Sequence, residues 1–213
     1  MPALRPHPLA SLLAGFARLI SGVQVRWVDC APAPRQRIYF ANHASHLDAV
    51  VLWASLPAST RAGTSPVAGR DYWEKTAIRR YLAGHVFRVL LIDRTPHGAE
   101  RSVESAARVT DVMVAALDRG LSLIVFPEGT RGSGEEVAPF KSGIYHLACR
   151  RPDVELVPAY LENLNRILPK GEVLPVPLLS SATFGPPITI APHESKRDFL
   201  DRTRAAVIQL KPA

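Results

Sequence analysis

Only two cysteines, Cys30 and Cys149, occur in the chain, and neither stands in a CxxC or other ligand spacing. That excludes a disulfide framework or a zinc ribbon as the source of stability and fits a reducing compartment. No apolar run reaches the ~20 residues that a membrane-spanning helix needs. Aromatic residues make up 7% of the sequence and are not interleaved with basic ones, so the stacking surface of a single-strand nucleic-acid binder is missing. Three signatures are absent as well: a P-loop Gly-Lys-Ser/Thr, a GxGxxG opening a helix after a strand, and the GxSxG elbow of serine hydrolases. There is no long polar tract and no internal repeat. What is present is 47% hydrophobic residues over 213 positions, enough to bury the core of one domain. The formal net charge of +7 favours an anionic partner, such as acidic lipid headgroups, nucleic acid or a phosphorylated metabolite.

Helical and strand-like segments alternate along the chain. Leu9, Leu12, Leu13, Phe16, Leu19, Ile20 and Val23 recur at three- and four-residue steps, with Arg18 among them, and predict an amphipathic helix. An ordinary core helix, a signal peptide with Arg5 ahead of its apolar region, and a helix lying in a membrane interface all fit; the basic balance of the chain favours the interface. Residues 24–36, with Pro32 and Pro34, read as a lead-in to a buried strand at 38–41, which is followed by a helix opening at 49–53. Residues 56–66 read as a loop. Residues 69–84 read as one helix whose Lys75, Arg79 and Arg80 form a solvated face. A strand is expected at 86–92. An amphipathic helix is expected at 100–119, with Val103, Ala107, Val114 and Leu117 inward and Gly120 closing it. Residues 121–126 make the most strand-like run, followed by a short helix through Ala148 and a strand at 154–161 interrupted by Pro158. Residues 165–171 read as a connecting loop with apolar residues beside basic ones. Closing strands at 178–184 and 188–190 and a charged helix at 195–210 complete an α/β fold. Its central sheet is mainly parallel and flanked by helices, with the amphipathic membrane-interface helix at the amino end.

The chemistry gathers at two breaks after strands. Asn42-His43-Ala44-Ser45-His46-Leu47-Asp48 is a strand-to-helix turn, and Asp48 in the first helical turn is close enough to receive a proton from one nitrogen of His43. A carboxylate there fixes the tautomer and leaves the other nitrogen free to act as a general base. The plainer alternative is a histidine satisfying a buried backbone group and an aspartate capping a helix. At the second break, Pro127-Glu128-Gly129-Thr130-Arg131-Gly132-Ser133-Gly134 is glycine-rich and carries one acid and one arginine. Backbone amides in such a loop approach an anion closely, and an arginine fork binds two phosphate oxygens. A plain surface turn is the alternative reading. Arg94 is expected at the carboxyl end of a strand, where parallel sheets place ligand groups.

With these pieces taken in order, the sequence resembles the 1-acylglycerol-3-phosphate acyltransferase family, membrane-associated glycerolipid acyltransferases with an NHxxxxD motif. Asn42-His43 through Asp48 is similar to the family's first block, Ile92-Asp93-Arg94 to the second, Phe126-Pro127-Glu128-Gly129-Thr130-Arg131 to the third and Val157-Pro158-Ala159-Tyr160 to the fourth. Phe140-Lys141-Ser142-Gly143 lies between the last two. The resemblance covers roughly residues 25–190. It departs from the family pattern in three places. Gly132 replaces a serine often found after the third block, no aromatic residue precedes Ile92, and Arg70 stands where lysine is frequent.

The resemblance implies a membrane-associating helix over residues 1–24 and an acyltransferase domain over 25–213. It implies transfer of a fatty acyl group from a coenzyme A or acyl carrier protein thioester to the sn-2 hydroxyl of lysophosphatidate, in phospholipid biosynthesis. His43 would be the base and Asp48 its orienting acid. Arg131, with Glu128, Gly129 and Thr130 shaping its loop, and Arg94 would hold the phosphate. Asn42, Arg70 and Lys141 are candidate substrate or oxyanion contacts, and Val157 and Pro158 would line the acyl or acceptor channel. No metal or cofactor is implied beyond the thioester co-substrate. The expected partners are a phospholipid surface, the lysophospholipid and, as one donor, the acyl carrier protein, with no nucleic acid. The implied location is the cytoplasmic face of the inner membrane, peripheral or monotopic. Two readings from other classes remain open: a metal-dependent phosphoesterase using His43, His46 and Asp48 as ligands, and a non-catalytic lipid-binding module.

Overall fold

A computed structural model describes residues 8–93, 103–164 and 179–212. The first helix, α1 (Pro8–Ser21), is followed by β1 (Gln24–Trp27), β2 (Arg37–Ala41), α2 (Asp48–Ser55), α3 (Ala58–Arg61) and β3 (Thr64–Gly69). Then come α4 (Arg70–Trp73), α5 (Ala77–Tyr81), a π-helical turn (Leu82–Val86) and β4 (Leu90–Ile92). The chain ends with α6 (Val103–Asp118), β5 (Ser122–Val125), α7 (Gly143–Arg150), β6 (Glu155–Glu162), β7 (Ser181–Phe184) and α8 (Lys196–Ile208).

Among the described residues seven strands form one sheet in the order β1-β7-β6-β2-β5-β3-β4. Every neighbouring pair is parallel except β6 with β7, so β6, β2, β5, β3 and β4 all run the same way. Their carboxyl ends therefore emerge along one edge. The sequence pattern explains why both faces are covered. Alternate residues of β2 point to opposite sides, so Tyr39 and Ala41 join one apolar cluster while Ile38 and Phe40 join the other. The first cluster is covered by α1 and α2, the second by α6, α7 and α8.

Several expected elements differ. Residues 64–66, the end of the segment read as a loop because of its Ser, Thr, Gly and Pro, open β3, which runs on to Gly69. It pairs with β5 through Thr64 to Pro66 and with β4 from Val67 to Gly69, so partners on both sides outweigh weak propensity. Residues 24–27 form edge strand β1 against β7. The single helix expected at 69–84 is broken after Trp73 and restarts at Ala77, with the Thr76 side chain accepting from Arg79 N–H as its cap. The π-helical turn then shortens β4 to Leu90–Ile92. Ile188 makes one bridge to Leu156 rather than a strand. On α6, Met113, Val114, Ala116 and Leu117 are buried, whereas Ala107 is exposed. The expected loop at 165–171 lies outside the described residues.

Pro158 does not interrupt β6, which runs through it while paired to Phe40 of β2. It stands one residue outside the ladder to β7, and its carbonyl accepts from Gly185 N–H at 2.9 Å. The missing proline N–H therefore falls where that ladder ends.

Helix α1 is set on α2 through its small residues. Ala10, Ala14 and Ser21 are buried, while Leu12, Phe16 and Leu19 are 69%, 57% and 79% exposed. Arg18 is not on a free polar face; its Nε donates to the carbonyl of Ala54, in the last turn of α2, at 2.7 Å. A cation there complements the negative end of that helix. Among the described residues no helix is long and apolar enough to cross a membrane.

Candidate active site

The turn after β2 is built around one carboxylate oxygen. Asp48 Oδ2 lies 2.8 Å from His43 Nδ1 and accepts from the N–H groups of Ala44 at 2.6 Å and Ser45 at 2.8 Å. Because the oxygen already accepts from two backbone donors, it acts as acceptor toward the imidazole too. The ring proton then sits on Nδ1, and Nε2 presents a lone pair. Asp48 is 1% exposed, whereas the His43 side chain keeps 16% of its surface, so the acid is shielded and the base is reachable. The imidazole stacks on Phe126, with ring centroids 4.3 Å apart. The alternative of a merely capping Asp48 is not what the turn shows: Leu47 precedes α2 without a side-chain cap, and the carboxylate faces the histidine.

The glycine-rich loop after β5 is strapped to this turn. Glu128 is 3% exposed and spends Oε1 on the N–H of His43 at 2.6 Å and Oε2 on the N–H of Ala138 at 2.9 Å. The N–H of Gly132 donates to the His43 carbonyl at 2.8 Å. Both backbone groups of His43 are thus held by the loop that carries Arg131. Burial pushes the Glu128 carboxyl above its ordinary value, and its two backbone donors pull it back only in part. Gly129 has φ +70°, which favours glycine, and a Cβ there would meet the end of the Lys141 side chain, with Nζ at 2.7 Å, so that flexible side chain would have to shift as well. Lys141 also donates its N–H to the Pro127 carbonyl. Thr130 and Arg131 are exposed at the tip.

Arg131 acts at the rim of the same turn. Burial, then the charge of Arg131, then those of His43 and Arg79, hold His46 below the ordinary imidazole range against the pull of Asp48. His46 stacks on Tyr72 with centroids 5.6 Å apart, and the Arg79 guanidinium lies 4.3 Å from the Tyr72 ring centre. This stack was not foreseen from the sequence; the only signal was an aromatic residue inside a segment read as a solvated helix.

Other expected site residues fall differently. Asn42 is held in place by the backbone, because its Nδ2 donates to the Leu161 carbonyl at 2.9 Å and its Oδ1 accepts from Leu161 N–H at 2.8 Å, which leaves one N–H of the amide for any further contact. It extends the β2–β6 ladder by a side chain. Val157 is fully buried in the core beneath α2 and Pro158 is buried beside Gly185, so neither lines a channel. Both faces of their strand are covered. Glu128 shapes the loop rather than touching an anion, as its two oxygens are taken. Arg70 sits at the edge after β3, yet its Nε and Nη1 are engaged by Asp93 and Glu74 at 2.9 and 2.7 Å. Arg94 lies outside the described residues.

A polar cavity of about 340 Å³ lies behind the dyad, lined by Asn42, Asp48, Ser133, Tyr160, Asn163 and Lys211 among others. Asp48 borders it, and its Oδ1 is buried with no hydrogen-bond partner in the protein. Among the described residues no group of three or more His, Cys, Asp or Glu side chains is placed to hold a metal.

Residues 22–162 match the family model described as Acyltransferase. Over 182 residues the chain is 32% identical to a 1-acyl-sn-glycerol-3-phosphate acyltransferase of Limnanthes douglasii, covering 83% of this chain and 59% of that protein. It is 30% identical over 152 residues to the human 1-acyl-sn-glycerol-3-phosphate acyltransferase alpha, covering 70% and 49%, respectively. The Salmonella typhimurium protein of the same name is 31% identical over 168 residues, with 74% and 61% covered. The chain thus spans 49% to 61% of the length of these relatives. Its fold is that of the crystal structure of the 1-acyl-sn-glycerophosphate (LPA) acyltransferase PlsC from Thermotoga maritima, with a TM-score of 0.71 at 19% identity over 94% of this chain and 78% of that one.

Proposed function

The chain belongs to the acyltransferase family, and we propose that it moves a fatty acyl group from a coenzyme A or acyl carrier protein thioester to the sn-2 hydroxyl of 1-acylglycerol 3-phosphate. The observation that carries this reading is the strapping of the Arg131 loop to the His43 turn through Glu128 and Gly132, which sets a base and a guanidinium on one edge. His43 Nε2 takes the proton of the acceptor hydroxyl as its oxygen attacks the thioester carbonyl. The tetrahedral intermediate collapses, the C–S bond breaks, and the imidazolium returns its proton to the departing thiolate. Asp48 holds the ring and stabilises its transient positive charge. No acyl-enzyme is needed, because the acceptor itself is the nucleophile. Arg131 supplies a bidentate fork for a phosphate monoester, with Thr130 beside it, and Arg94 is assigned the second contact. These roles, and the resemblance of the relatives' names, favour lysophosphatidate over lysolipids whose phosphate is esterified twice.

Acceptor and product are amphiphiles, and the outward Leu12, Phe16 and Leu19 support a helix α1 resting in the bilayer interface. Extracting a long acyl chain into water costs on the order of 10 kcal/mol, so docking on the cytoplasmic face of the inner membrane spares the substrate that step. The test is release of free thiol from acyl-coenzyme A or acyl carrier protein, with and without chelator, across lysophosphatidate, lysophosphatidylethanolamine and glycerol 3-phosphate. Release that needs lysophosphatidate, survives chelator and vanishes in His43→Ala is expected. Loss with chelator, or release unchanged in His43→Ala, overturns the mechanism.

A further inference from the structure

We infer that α5 is a second membrane-contact element, separate from α1, which seats the edge of the His43 turn on an anionic phospholipid surface; this rests on the membrane reading above. Ile78 is 73% exposed and Tyr81 46% exposed, three residues apart on one helix and hence on one side of it. Lys75 and Arg80 are exposed next to them. An aliphatic tip, a tyrosine and flanking cations within seven residues match the chemistry of the headgroup layer, where tyrosine rings settle and basic side chains meet acidic lipids. The sequence pattern alone reads these cations as a solvated face, but the break after Trp73 turns α5 so that its apolar residues face out.

The segment is anchored from behind. Trp73 and Leu82, which flank α5, pack against the same apolar cluster as Leu9, Leu13 and Ala17 of α1, so α5 is held at both ends on the face of the sheet that α1 covers. The Arg79–Tyr72–His46 stack then ties α4 and α5 to the HxxxxD turn. Docking α5 therefore brings His46, and with it the approach to His43 and Arg131, to the bilayer surface. An amphiphilic acceptor can reach the base without leaving the lipid.

The experiment is flotation of the full chain with vesicles of phosphatidylcholine, with and without phosphatidylglycerol. Ile78→Asp is expected to lower the bound fraction roughly tenfold on both kinds of vesicle. Lys75→Gln with Arg80→Gln is expected to lower it roughly tenfold or more on the anionic vesicles alone. Ile78→Ser provides a milder variant, and an unchanged melting temperature is expected for all three, since these side chains are exposed. In parallel, thiol release is expected to fall with vesicle-borne acceptor and to stay at the wild-type rate with a short-chain acceptor dispersed in water. If these variants float like wild type while Leu12→Asp with Phe16→Asp does not, α1 docks alone and the inference is wrong. If wild type itself stays unbound, the inference falls together with the membrane reading. The acyl-transfer reading stands or falls separately, on the dispersed acceptor.

Discussion

Helices α1 and α8 cover opposite faces of the same sheet and bury opposite kinds of side chain. In α8, Phe199, Thr203 and Val207, at four-residue steps, are fully buried, and the outer side carries Arg197, Asp201 and other charges. In α1 the buried residues are Ala10, Ala14 and Ser21, and the large side chains Leu12, Phe16 and Leu19 face out. The outer side of α8 suits water, whereas that of α1 carries three large apolar side chains. The contrast supports the proposal that one face of the molecule ends at water and the other meets the bilayer interface, with the His43 turn at the start of α2 on that second face.

If that division is right, turnover, folding and membrane binding should separate. The largest effect is expected at His43: His43→Ala should lower the rate of thiol release by about 10² to 10⁴ while flotation and melting temperature stay as in wild type. A matching loss of vesicle binding would show that site and surface are not separable. Next, Phe199→Ala should cost about 3–5 kcal/mol in the denaturant midpoint, whereas Phe16→Ala should change it by less than ~0.5 kcal/mol. Equal costs at the two positions would erase the contrast between the helices. A smaller, pH-dependent effect belongs to the α8 side. The Arg202 fork on Glu194 holds that carboxyl below its ordinary value, at 2.8 and 2.7 Å. A depressed carboxylate stabilises the fold above its unfolded value, ~4.3, and loses that contribution as pH falls through the lower folded value. With Arg202 partly exposed, it is worth no more than about 1 kcal/mol. Arg202→Gln should therefore lower stability at neutral pH and leave the most acidic end unchanged, as read by melting across a pH series. The smallest effect is on the α1 side: Arg131→Gln should raise the His46 titration midpoint followed by NMR, while burial, the larger cause, keeps it under the ordinary ~6.5. A midpoint that does not move would place Arg131 away from the rim.

Much of the fold was legible because its central strands are short apolar runs, as in Ile38 to Ala41 and Ser122–Val125, and because parallel strands bury both faces. The two chemical breaks were legible for a related reason. They follow β2 and β5, which are parallel neighbours, so residues 85 positions apart in sequence meet at one edge. Strands β1 and β3 were not legible, since their residues become strand only by pairing with β7, or with β5 and β4. Nor was the fate of Asn42: an asparagine beside the candidate base gives no sign in sequence that Leu161 will bond both ends of its amide. Arg70 likewise gives no sign in sequence that Asp93 will fold back onto it.

The sequence alone determined that helices and strands alternate around a parallel sheet, that an imidazole and a carboxylate share one strand-to-helix turn, and that a glycine loop carries an arginine. Periodicity and residue chemistry are local, and they suffice for that. Only the tertiary structure decided which side of α1 faces inward. Apolar residues surround more than half of that helix, and the choice falls to whichever stripe lets α2 approach most closely. Ala10, Ala14 and Ser21 are small enough to allow it, and the bulky Leu12, Phe16 and Leu19 are left to face outward.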